Sequence, residues 1–104
     1  MILGLRTDKP EAELYLVEDS AIVDSHKWHA HRELSDTLIS KIEHLLGAHD
    51  LQVSKLDGIV VYRGPGSFTG LRIGITVANT LAYASKIKII GTEGDDWLRD
   101  GIQA

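Results

Sequence analysis

The stretch "RGPGSFTGLRIG", residues 63–74, packs four glycines and a proline into twelve residues and runs straight into an apolar segment. Before it lies Gly58-Ile-Val-Val-Tyr62, an apolar run without alternation, as in a strand buried on both faces. After it, helical periodicity extends over about 68–85. The stretch is therefore a strand-to-helix turn. A P-loop needs a Lys-Ser/Thr pair after its last glycine, but Leu71-Arg72 follow Gly70. A dinucleotide fingerprint needs G-x-G-x-x-G; Gly64, Gly66 and Gly70 are spaced one residue too widely, and Pro65 removes a backbone donor. What remains is a strand-to-helix turn of Gly64, Pro65, Gly66, Gly70 and Gly74 whose glycines allow positive φ and close packing.

The helix that follows carries a second message. Gly70, Gly74, Ala78 and Ala82 recur every four residues, a ridge almost without side chains. Leu71, Ile73, Ile75, Val77, Leu81 and Tyr83 occupy its other sides. A helix apolar nearly all round is buried nearly all round. One sheet covers one side only, so the ridge is expected to stay free for another helix or another chain.

Working outward, Ile2–Arg6 reads as a strand and Thr7–Pro10 as a turn. Residues 12–18 alternate Ala12, Leu14 and Leu16 against Glu13, Tyr15 and Val17, which is strand periodicity. Residues 21–28 read as a third strand, with Ile22 and Trp28 on one face and Val23 on the other. Tight turns make these an antiparallel meander. Leu34, Leu38, Ile42 and Leu45 then mark an amphipathic helix over about 31–48, with Gly47 suited to a left-handed end. A last strand spans Ile87 to Ile90. Residues 92–104 are acidic and poorly patterned, with a short helix indicated near Trp97 and Leu98. The order βββαβαβ predicts an α/β domain, a mixed sheet with two main helices packed on it.

Composition limits the function. The chain has 104 residues, 43% of them apolar and 25% charged, a net charge of −4 and no cysteine. That describes one ordinary globular domain over residues 1–104, without disulfides or thiolate metal sites. Its acidity argues against gripping nucleic acid alone. No leader or membrane span is read from the sequence.

"YRGPGSFTGLRIGITVANTLAYA", residues 62–84, resembles the signature of the TsaB (YeaZ) family. "ILGLRTD", "HRELSDTLISKIEHLL", "LDGIVV" and "IKIIGTE" are similar to it in the same order. The resemblance covers nearly all the chain but only the first of the family's two lobes. It implies an actin-like, ribonuclease-H-like ASKHA lobe, cytoplasmic and without a cofactor. It further implies a non-catalytic role in making threonylcarbamoyladenosine on tRNA. In the family, TsaB pairs with the catalytic subunit TsaD through two helices, TsaE joins that complex, and homodimers use the same surface. Contact with tRNA is then only indirect. By this resemblance the expected seam combines Leu34, Leu38 and Ile42 with Ile73, Val77 and Thr80. Arg72 either meets an acid of the partner or marks the solvent side.

One departure stands out. The family has Asp-Thr-Ser at the end of the first strand, whereas this chain has Arg6, Thr7 and Asp8. A cation at position 6 cannot ligate a metal, which agrees with a non-catalytic subunit. Arg6 and Arg63 both fall at strand ends beside the second helix, where an anion could bind; the competing reading pairs each with an acid such as Asp8 or Glu93. A rival function, a small nucleotide-binding hydrolase, would have to draw on Asp8, Asp57 and Glu93. His26, His29 and His31 invite a zinc reading, but strand geometry sends His26 and His29 to opposite faces, and no metal is expected. His44 and His49 suit the negative end of the first helix.

Overall fold

The computed structural model describes the backbone of residues 1–104 and every side chain except that of His31. Strands β1 (Ile2–Arg6), β2 (Glu11–Glu18) and β3 (Ala21–His29) form the antiparallel meander. Strand β4 (Gly58–Tyr62) lies parallel to β1, and β5 (Lys88–Thr92) parallel to β4. The spatial order is β3-β2-β1-β4-β5. Helices α1 (Leu34–Gly47) and α2 (Phe68–Ser85) supply the two crossovers, and a single 3-10 turn, His31–Glu33, leads into α1. The stretch read as a tail contains a third helix, α3 (Trp97–Ile102).

Strand alternation divides the core between the two sheet faces. Leu3, Leu5, Leu14, Leu16, Ile59 and Val61 pack with Leu34, Leu38, Ile42, Leu45, Ala78 and Ala82 beneath α1 and α2. Val60 and Tyr62 pack on the other face with Trp97 of α3, flanked by Ile2, Tyr15 and Leu98. A short helix can cover this face because glycines let it come close. A Cβ on Gly101 would lie 2.3 Å from Val60, and one on Gly4 would lie 2.4 Å from Leu98. The Trp97 ring meets Tyr15 and Tyr62 at centroid distances of 6.0 and 5.8 Å.

Two local expectations are corrected. Leu16 pairs with Asp24 but Val17 pairs with Ile22, so Val23 is an extra residue in β3. This bulge turns the strand over, and Ile22 and Trp28 therefore face opposite sides of the sheet, not the same side. Gly47 is the last residue of α1 and has no positive φ; the left-handed residue is Asp50, at φ 55°. No helix is long and apolar enough to cross a membrane.

Candidate functional site

The glycine turn is built on the residues that follow β1. Thr7 is 2% exposed, and its Oγ1 donates a 2.7 Å hydrogen bond to the Gly70 carbonyl. A Cβ on Gly70 would sit 2.1 Å from the Thr7 carbonyl oxygen, and one on Gly74 would sit 2.2 Å from Thr7 Oγ1. A Cβ on Gly66 would lie 2.5 Å from the Asp8 side chain. Three of the four glycines thus exist to let Thr7 and Asp8 fit against α2 and the turn. Gly64 has the positive φ, 127°, and its peptide bond to Pro65 is cis.

Charges close the same corner. Arg6 holds Asp8 by two hydrogen bonds, Nε to Oδ1 at 2.7 Å and Nη2 to Oδ2 at 3.2 Å. Its guanidinium also lies 3.9 Å over the Tyr62 ring, and the Tyr62 hydroxyl donates to the Pro65 carbonyl at 2.6 Å. The Asp8 hydrogen bond outweighs partial burial and raises the Arg6 pKa further, so this cation is permanent. Arg63 Nη2 donates to Glu93 Oε1 at 3.1 Å. Both arginines proposed above as anion ligands are therefore engaged with acids, the pairing alternative. Asp57 belongs elsewhere: it meets the Met1 ammonium at 2.7 Å, at the start of β4. At roughly 3.3 Å per residue, the strand length separates it from the glycine turn, so it cannot serve a hydrolase there.

A second ionic group flanks the first. Lys9 Nζ lies 2.7 Å from Glu13 Oε2, and the Tyr15 hydroxyl donates to Glu13 Oε1. Burial pushes the Glu13 carboxyl up, but the hydrogen bonds from Lys9 and Tyr15 and the attraction of Lys9 and Arg6 pull it below its ordinary value. Burial and the Glu13 bond together push the Tyr15 phenol well up.

The helical seam is where the structure most alters the sequence reading. Leu34, Leu38 and Ile42 are 5%, 0% and 0% exposed and belong to the chain's own core, so they cannot form a surface seam. The small-residue ridge is also turned inward. Gly74, Ala78 and Ala82 are buried, and what the ridge admits is the chain's own: the Thr7 carbonyl at Gly70, the Thr7 side chain at Gly74, and the core over β1 and β4 at Ala78 and Ala82. The exposed residues of α2 include Phe68, Arg72, Thr76, Asn79, Thr80 and Tyr83, with Ile73 and Val77 half-buried at the flank. Phe68 is 76% exposed and Tyr83 89%, and Ile39 of α1 is 43% exposed. Phe68, Tyr83 and Ile39 were missed in the sequence. Phe68 and Tyr83 lie on the side of α2 away from the ridge, a placement that becomes readable once the ridge is known to face inward.

The described histidines do not assemble. His26 stacks on Trp28 at 5.6 Å, while His49 Nε2 lies 2.7 Å from Asp24. Among the described residues, no three histidine, cysteine or acidic side chains are grouped to hold a metal. The side chain of His31 lies outside the described residues.

Residues 26–94 match the sequence model of the family described as TsaD, tRNA N6-adenosine threonylcarbamoyltransferase. The chain belongs to that family. It is similar to the tRNA threonylcarbamoyladenosine biosynthesis protein TsaB of Bacillus subtilis, 32% identical over 85% of this chain and 38% of that protein. The Escherichia coli TsaB is 30% identical over 86% of this chain and 38% of its own length. YeaZ from Pseudomonas aeruginosa superposes with a TM-score of 0.80 at 29% identity, covering 88% of this chain and 43% of that one. The lobe expected from the resemblance is thus the fold observed. This chain spans less than half the length of these relatives.

Proposed function

We propose that this TsaB-like lobe is a non-catalytic subunit that pairs with a TsaD-type transferase in forming threonylcarbamoyladenosine on tRNA. The observation that carries the reading is the outer face of α2. It presents Phe68, Arg72, Thr76, Thr80 and Tyr83 to solvent, and Ile39 of α1 is exposed as well. Aromatic and arginine side chains are the usual anchors of protein interfaces, and large exposed apolar groups on one face mark a contact surface. Arg72, Ile73, Val77 and Thr80 of the expected seam remain in this proposal; Leu34, Leu38 and Ile42 leave it.

The glycine corner supports a structural role. Asp8 fills the space against Gly66, and Arg6 stands at the strand end. A cation at that position ligates no metal. The activity therefore resides in the partner, with TsaE joining through TsaD, tRNA contacted indirectly and homodimers using the same face. A stable pairing has to bury more than about 1,000 Å².

The test is to mix the chain with the TsaD of its own organism and follow sedimentation together with tRNA modification. Co-migration that Thr80→Glu abolishes, with modification lost in parallel, is the expected result. Nucleotide hydrolysis by the isolated chain and no co-migration would replace this reading with an enzymatic one.

A further inference from the structure

The Arg6 side chain does more than neutralise Asp8. It touches three parts of the chain at once: the end of β1, the end of β4 beside it in the sheet, and, through Asp8 and Tyr62, the glycine turn. Its two-point hydrogen bond holds Asp8, whose side chain is only 5% exposed and against which Gly66 packs. Its flat face rests on Tyr62, whose hydroxyl holds the Pro65 carbonyl. The neighbouring Thr7 holds the first turn of α2 through the Gly70 carbonyl. A planar, forked cation suits such a site; a lysine ammonium can supply the charge but neither the fork nor the stack.

We infer that Arg6 is a positioning residue: through Asp8 and Tyr62 it fixes the turn at residues 64–67 and, with it, the first turns of α2. The consequence for binding rests on the pairing reading above. Phe68 and Arg72 sit in those first turns, so the lock sets where these two anchors stand when a partner approaches. The lock itself is a property of the isolated chain and is measured without any partner.

The experiment compares the whole chain with Arg6→Met, Arg6→Lys and Tyr62→Phe by amide hydrogen exchange, resolved by segment. Tyr62→Phe keeps the ring under Arg6 and removes only the bond to Pro65, which guards against an Arg6 variant that fails to fold. In Arg6→Met, exchange over residues 66–74 is expected to rise at least tenfold while β2 and β3 change little. Arg6→Lys should recover part of the protection, and Tyr62→Phe should raise exchange at 66–74 by a smaller factor. Exchange at 66–74 that stays at the wild-type rate in Arg6→Met and Tyr62→Phe overturns the inference. So does a uniform rise across the whole chain, which would mean a general loss of stability. Sedimentation with TsaD is then run on the same proteins. Weaker association in proportion to corner exchange supports the positioning role. Unchanged association despite a loosened corner overturns it and leaves a purely local lock. A wild-type chain that binds no TsaD removes the pairing reading, and the exchange result alone then decides the lock.

Discussion

The two faces of α2 carry opposite chemistry on the same eighteen residues. The inner face is Gly70, Gly74, Ala78 and Ala82, packed so closely on Thr7 that no Cβ fits at the glycines. The outer face is Phe68, Arg72, Thr76, Thr80 and Tyr83, with two aromatic rings standing in solvent. Small residues can mark a place for a foreign backbone, and here they mark a place for the chain's own. A bare ridge shows that something comes close, and only the rest of the fold shows what. Bulk on the outside, where the domain has no use for it, is the stronger pointer to a partner.

The contrast predicts different losses for substitutions on the core side and on the partner side. Leu38 is fully buried, so Leu38→Ala should cost about 2–5 kcal/mol of unfolding free energy, measured by urea titration. Had Leu38 formed part of a surface seam, the monomer would lose almost nothing. Gly70→Ala comes next. The added methyl meets a backbone carbonyl at 2.1 Å, which cannot swing aside, and overpacking of this kind costs about 1–3 kcal/mol. Alanine's better helix propensity recovers up to about 1 kcal/mol of that. A Gly70→Ala variant as stable as the parent would mean that α2 stands off the sheet.

Thr80→Glu tests the other face. Thr80 is exposed, and its hydroxyl bonds only the Thr76 carbonyl in its own helix. Monomer stability should stay within about 0.5 kcal/mol, as for most surface changes. Association with TsaD should fall at least tenfold, read by sedimentation, which is about 1.4 kcal/mol. A variant that unfolds yet pairs normally would exchange the roles of the two faces.

The strand-turn-helix unit at 58–85 was legible because each part carries a local rule: an unalternating apolar run, glycines at a turn, then helical periodicity. The meander was legible from the alternation of Ala12, Leu14 and Leu16. What escaped depends on contacts distant in sequence. The inward direction of the Gly70–Ala82 ridge is set by Thr7, more than sixty residues earlier. The burial of Leu34, Leu38 and Ile42 could be read as a stripe, but a stripe does not say whether a sheet or a partner covers it. The bulge at Val23 has no marker such as glycine and reverses the facing of Ile22. A short helix near Trp97 and Leu98 was indicated, but not what seats it: Trp97 packs with Val60 and Tyr62, and Gly4 and Gly101 leave the room for its approach. The pairing of Arg6 with Asp8 and Arg63 with Glu93 was one of two open readings, because charge alone does not say whether the counter-ion is internal or external.

The same contrast between inside and outside extends to charge and gives the smallest expected effects. Glu13 is 7% exposed and its pKa lies below the ordinary 4.5, despite burial, because Lys9 and Tyr15 hydrogen-bond the charged form. A lowered folded-state pKa means that the ionised form stabilises the fold above 4.5 and that this contribution disappears as pH falls through the folded value. Melting temperature should therefore be flat near neutrality and fall on acidification below that point, and Glu13→Gln should flatten the acid limb. Asp24 is lowered too, by His49 first and by the Ser25 amide second, but it stands in solvent, where an ion pair contributes little. Asp24→Asn should accordingly leave the acid limb almost unchanged. An acid limb that follows Asp24 and ignores Glu13 would mean that the Lys9–Glu13–Tyr15 group is open to water, and that the face beneath α3 is less closed than its packing shows.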